Sequence, residues 1–588
     1  MNISKKIRGI IPHRSELRFA LRSFSPREWK IFGVLALILT IGSLGLLFTL
    51  NNRFLIEVPT YGGSFTEGVV GTPRFVNPVL AMSDTDRDLS MLVYSGLMKH
   101  DVNGQLVPDL ASGVSISNDG LEYTFTIREG AQFHDGKNVT ADDVVYTVTQ
   151  TKDALIKSPN AVSFEGVTVT STDERTVVFT LRQRFASFLE TMTIGILPKH
   201  VWEKLSPEQF SLSDKNLDAI GSGPYEIKKV RTDASGIPTS FSLERFNNHT
   251  GGKPFIKNIT VKFYANENEL LSAYKSGSVD TASALSPALA SELKEKGRHI
   301  LEAPLPRVFG LFFNKTEQPL LQNKEVLNAI NVAINKDHII DTVLHGFGTP
   351  ITSPVPLELF HDALLSSPET TSSGDAEKAI TILEKAGWTR GEDGIFGKGD
   401  TRLSLSLATS DSIELRSAAG LIRDDLRAIG IDVELKIFET GTLNQNIIRP
   451  RKYDMLFFGQ IVNHPTDLFA FWHSSQRSDP GLNIAMYTNP RADTYLEEAS
   501  STLDAKKQES LYTQFEREIA NDIPAVFIYS PSFIYAVDKH INGITLSGGS
   551  ESGERFSNIN LWYMRTERIW PFFHKEKQAT ITTQLEQE

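Results

Sequence analysis

The chain has 588 residues, 40% hydrophobic and 22% charged, which is too long for one core and predicts two or three domains. It contains no cysteine, which excludes disulfides, thiolate metal sites, cysteine nucleophiles and acylated-cysteine anchors. Its net charge of −11 is ordinary for a soluble surface and argues against a polyanionic partner, so no nucleic-acid binding is expected.

The N-terminal region carries the strongest single signal. Ile31–Leu50, IFGVLALILTIGSLGLLFTL, holds no charge over 20 residues, enough to span a hydrocarbon core of about 30 Å. Before it stand Lys5, Lys6, Arg8, Arg14, Arg18, Arg22, Arg27 and Lys30 against Glu16 and Glu28, a net of +6, so the rest of the chain carries −17. The positive-inside rule places residues 1–30 in the cytoplasm and everything after the span outside. A cleaved signal peptide is the alternative. The apolar run exceeds a signal core of about 7–15 residues and no A-x-A-like site follows, which predicts an uncleaved single-pass anchor. Residues 51–61 then read as a tether.

Further along, Leu121, Tyr123, Phe125 and Ile127 alternate with polar residues, which predicts a half-buried strand between Asp119-Gly120 and Asp135-Gly136 turns. Thr140 with Asp143 three residues on resembles a capping box opening a helix, with an Asp where Glu or Gln reaches back better. In 412–429 the apolar residues recur at the helical period and Gly430 stands at the C-cap. Ile431–Phe438 alternates as a strand, and Tyr453–Gly459 is uniformly apolar, as in a sheet covered on both faces. Residues 491–520 read as helix and 524–529 as a returning strand. The organisation is α/β with a β-rich insert.

Motifs for chemistry are lacking. None of the 13 histidines forms H-E-x-x-H, and His464 and His473 are read as surface or core residues rather than metal ligands. GEDGIFGKGD at 391–400 lacks a closing G-K-[ST] and reads as a hairpin loop. GGSESG at 548–553 fails the nucleophile-elbow spacing. No enzymatic activity, cofactor or metal is expected.

Residues 94–148, YSGLMKHDVNGQLVPDLASGVSISNDGLEYTFTIREGAQFHDGKNVTADDVVYTV, together with GSGPYEIKKV, VFGLFFN, VLNAINVAINKDHIIDTVLHGFG, KAGWTRGEDGI, IGIDVELKIFE and MYTNPRADTYLEEA in order, resemble the family 5 extracellular solute-binding proteins. These are the bacterial, periplasmic or surface-held oligopeptide- and dipeptide-binding proteins of ABC importers. The resemblance implies a periplasmic-binding-protein-like fold with two hinged lobes, an extra β-rich domain and one preceding transmembrane helix. Lobe I is expected at 62–99, 219–305 and 530–575, the extra domain at 100–218, lobe II at 306–529 and a polar tail at 576–588. The implied function is capture of a peptide by lobe closure and delivery to an ABC permease and its ATPase subunits, by a monomeric ectodomain. The alternatives are a non-peptide solute, or a surface sensor or adhesion module without transport.

The resemblance also implies site residues. Peptide-binding members carry an amine-binding aspartate four residues before a proline; counted back from Pro465, that position here is Ile461. The strand end Gly459, Gln460, Ile461, Val462 and Asn463 is therefore expected to face the ligand without a charge. Asp467, two residues past the proline, and Asp84, beside Met82 and Ser83, are the candidate substitutes for the missing aspartate. Trp472 is a candidate for a side-chain pocket, and Asn314 lies near the expected lobe crossing.

Overall fold

The computed structural model describes residues 24–356, 374–546 and 552–571. Most of the basic N-terminal segment, most of GGSESG and the whole polar tail lie outside the described residues. The chain divides into two compact units.

The first unit holds helix α1, Pro26–Phe54, opened by Ser25 with Pro26 at its first position and Glu28 accepting from the Ser25 amide at 2.7 Å. Its 29 residues have a mean hydropathy of 2.5 over the most apolar window, and by length and composition it is able to cross a membrane. The helix runs four residues past the charge-free stretch. The expected tether is thus partly helical, and strand β1, Ile56–Thr60, pairs antiparallel with Arg565–Ile569.

The second unit, Tyr61–Met564, is built on a twelve-stranded sheet. Strand β2 is Ser64–Val70 and helix α2 is Asp84–Val93. The β-rich insert follows, with β3 Ala111–Ile116, β4 Glu122–Ile127, helix α3 Ala141–Lys152, β5 Val167–Ser171 and β6 Thr176–Leu181. Its four strands form their own antiparallel sheet, β3-β4-β6-β5, over a core that takes Tyr123, Phe125 and Ile127 from one face of β4. At Thr140 the expected capping box forms: the Asp143 carboxylate reaches back to the amide at 2.8 Å and also accepts from the Thr140 hydroxyl.

The chain returns to the large sheet with β7 Tyr225–Thr232, β8 Pro238–Arg245, β9 Asn258–Tyr264, β10 Thr281–Ser283 and β11 His299–Pro304. It then crosses to β12, Arg307–Phe313. Beyond lie β13 Ser404–Ser410, α4 Ile413–Ala428, β14 Asp432–Phe438 and β15 Met455–Ile461. Residues 491–520, expected as one helix, are two, α5 Pro490–Ser501 and α6 Ala505–Asp522; Asp504 starts the second by accepting from Lys506 and Lys507 amides.

The last long strand, β16 Ala525–Val537, joins the lobes. Its first half pairs with β12 in one lobe and its second half with β10 and β11 in the other. The sheet order is β14-β13-β15-β12-β16-β10-β2-β9-β8-β7, and the remaining two strands, β11 and Gly348–Pro350, pair with β16 off this path. Two chain crossings, at Leu305-Pro306 and Ser530-Pro531, run side by side. The Ser530 hydroxyl donates to the Leu305 carbonyl at 2.6 Å, and the Leu305 amide to Pro531 at 3.0 Å. Neither proline has an N–H to offer, and residues 348–350 pair antiparallel with Tyr529–Pro531 beside the crossing. Strand β15 is covered on both faces, Met455 and Phe457 entering one core and Leu456 the other.

Candidate functional site

Two adjoining cavities lie between the lobes, of about 570 and 450 Å³, and both are lined by Arg87 and Asn463. The first is bounded by Asp84, Leu285 and Phe533 from one lobe and by Arg307, Phe309, Leu415, Ile461 and Tyr529 from the other. Its floor is an aromatic platform: Phe309 and Tyr529 stack with centroids 5.0 Å apart. Gly459 makes that possible, because a Cβ there would stand 2.6 Å from the Phe309 ring.

The second cavity is more polar. Ser90, Tyr94 and His249 line it, and behind its surface their Oγ, Oη and Nδ1 atoms are buried without a hydrogen-bond partner among the described residues. Burial pushes the Tyr94 phenol well above its ordinary range and pulls the His249 pKa down to about 4, so both stay neutral near pH 7. His100 and Glu190 pair at 3.0 Å on the same wall. Burial opposes charge on both, yet their contact prevails, raising the histidine and lowering the carboxyl.

Lobe I holds its side of the cleft in place through a buried ion cluster. Arg555 reaches Glu67 at 2.9 Å and Asp88 at 2.7 Å, and its guanidinium lies 4.0 Å over the Phe556 ring. Tyr535 donates to Glu67 at 2.6 Å. Burial works against charge on Arg555, but Asp88 and Glu67 outweigh it and raise its pKa; burial raises that of Glu67. The residues around Arg555 form the wall: Ser552 in the first cavity, Glu554 and Phe556 in the second. Across the cleft, the Ser187 and Thr466 hydroxyls meet at 3.0 Å, linking the extra domain to lobe II.

The sequence-derived candidates divide on this geometry. Asp84, Ile461 and Asn463 line the first cavity, and Asn463 and Asp467 the second. Ile461 is 48% exposed into it and faces Arg307 directly across the β12–β15 pair. Asp84 pairs with Arg87 at 3.5 Å, while Asp467 accepts from the His464 amide at 3.0 Å and so closes its own turn. Ser83 caps α2, accepting from the Asp86 amide at 3.2 Å, and Met82 is exposed outside both cavities. Gln460 and Val462, on the other side of the strand, are buried, and neither lines a cavity.

Trp472 lies away from both cavities. It is fully buried among Phe312, Tyr487, Phe515 and Phe527, with ring centroids at 5.7–6.4 Å, so it packs a core and lines no pocket. Asn314 also serves the framework, donating to the Arg451 carbonyl at 2.7 Å. Sequence reading missed Arg87, Arg307, Phe309 and Tyr529. A signal existed for Arg307, a lone charge heading the apolar run VFGLFF; Tyr529 looked like any residue of an apolar strand.

Residues 105–481 match the family model described as bacterial extracellular solute-binding proteins, family 5, middle region. The chain belongs to this family. Among its relatives, the oligopeptide-binding protein AppA of Bacillus subtilis is 28% identical over 497 residues, 82% of this chain and 89% of that protein. The dipeptide-binding protein of Escherichia coli is 24% identical over 521 residues, 84% and 93% of the two chains. Among solved structures, the ABC transporter substrate-binding protein CtaP of Listeria monocytogenes superposes with a TM-score of 0.71 at 28% identity, covering 86% of this chain and all of that one. The B. subtilis AppA complex with a nonapeptide gives 0.62 at 25% identity over 86% of this chain. Family 5 membership makes the two-lobed fold and the role in solute binding plain.

Proposed function

We propose that this family 5 protein is a membrane-anchored extracytoplasmic receptor that captures a peptide between its lobes and delivers it to an ABC importer. The carrying observation is the pair of adjoining inter-lobe cavities, one with an aromatic floor and the other lined by a larger share of polar groups. Side chains of a peptide fit the first kind of surface and its backbone amides the second. The peptide-binding relatives support the same substrate class.

Closure is the working step. Two side-by-side crossings form the hinge, and ligand contacts on both lobes favour the closed arrangement over the open one. The reading assigns the protein binding and release and no bond-breaking chemistry. Helix α1 supplies the anchor, which holds the receptor near its permease and raises their effective concentration. Calorimetric titration of the detergent-solubilised full chain with a mixture of tri- to pentapeptides tests the capture. Saturable heat is expected, and its absence across the mixture contradicts it. Retention of the full-length chain in carbonate-washed membranes tests the anchor; release of a shortened soluble form contradicts it.

A further inference from the structure

Resting on the peptide reading above, we infer that Arg307 anchors a ligand carboxylate in the first cavity. Four charged residues line this space: Asp84, Arg87, Arg307 and Glu414. Asp84 and Arg87 pair with each other at 3.5 Å. Among the described residues no ion pair reaches Arg307, from Glu414 or any other acid, and its buried Nε–H has no hydrogen-bond acceptor. A half-buried guanidinium with an unmet donor, beside an apolar platform, is a site for an anion, and a carboxylate matches its planar fork.

The residue opposite makes the assignment specific. Arg307 and Ile461 are register partners on β12 and β15, so their side chains emerge as neighbours on the same face. An aspartate at 461 would stand beside the guanidinium and neutralise it. Isoleucine leaves the charge for the ligand and offers its methyl groups to the adjoining chain. The uncharged strand end thus leaves this subsite suited to an anion. Phe309, two residues on, shares the face, so the group carrying the carboxylate lies against the aromatic floor.

The carboxylate has two sources, a peptide C-terminus or an acidic side chain, and competition binding read by native mass spectrometry separates them. The full chain in detergent is offered tri- to pentapeptides with free C-termini, the same peptides amidated, and amidated peptides containing one glutamate. Amidation is expected to weaken binding roughly ten- to a hundredfold, the scale of one charge-assisted contact. Recovery by the internal glutamate would identify a side-chain carboxylate as an accepted source. Arg307→Gln, which keeps the stem, is expected to abolish the discrimination. Ile461→Asp is expected to weaken free-acid peptides to a similar degree, whereas Ile461→Asn leaves them nearly unchanged. Equal binding of free and amidated peptides, or discrimination that survives Arg307→Gln, overturns the inference while leaving peptide capture intact. No binding of any peptide overturns both.

Discussion

Arg555 is the residue on which the lobe I wall depends. Both its carboxylate partners are buried, so removing the guanidinium strands two acids away from water. Arg555→Leu is expected to cost about 3–5 kcal/mol in urea unfolding of the full chain, the scale for breaking one side of a buried ion cluster. A loss below about 1 kcal/mol would mean the acids are met by other groups. Glu516 has the opposite character. Burial raises its carboxyl to about 7 against an ordinary 4.5, with Ser353 as its hydrogen-bond donor opposing the shift. The folded state therefore holds a proton that the unfolded state gives up, so stability falls as pH rises from 4.5 to 7 and levels off above. The whole effect is about 3 kcal/mol. Glu516→Gln should match the wild type near pH 5 and exceed it near pH 8; parallel stability curves would refute the assignment.

Among the elements, two of the segments that carried the family resemblance meet as framework. GSGPY packs with Gly221 and Gly223 against the backbone of Val93 and Tyr94, where a Cβ at 221 would stand 2.0 Å from the Val93 carbonyl oxygen. His134, from the QFHDG turn, accepts from the Gly221 amide at 3.3 Å and contacts the Gly223 carbonyl at 3.0 Å, so two such segments meet. Gly221→Ala should sharply lower the yield of folded protein, whereas Gly113→Ala, which meets nothing within 4 Å, should not; equal yields would contradict this packing. The same contrast explains what the sequence makes legible. The strand at 122–127, the helix at 413–428 and its C-cap Gly430 follow from local period and local caps. Strand β16 continues eight residues past Tyr529 because its second half finds partners in β10 and β11, a long-range fact no local pattern carries. Candidate site residues on the strand end were readable because they are contiguous; Arg307, Phe309 and Tyr529 converge only through pairing. Trp472 is buried in a core; an aromatic in an apolar run reads alike in a pocket and in a core.

For the whole molecule, the account rests on two lobes that close over a peptide. The sole direct hydroxyl pair described between the extra domain and lobe II, Ser187 with Thr466 at 3.0 Å, reports on that closure. Because the chain has no cysteine, a Ser187→Cys/Thr466→Cys variant carries only the two thiols of interest. The rate of disulfide formation between them, followed with and without a saturating peptide mixture, measures closure at this contact. The account predicts that peptide speeds the cross-link and that the oxidised form holds its peptide through dilution. A rate unchanged by peptide, with the peptide nevertheless bound, would contradict capture by lobe closure.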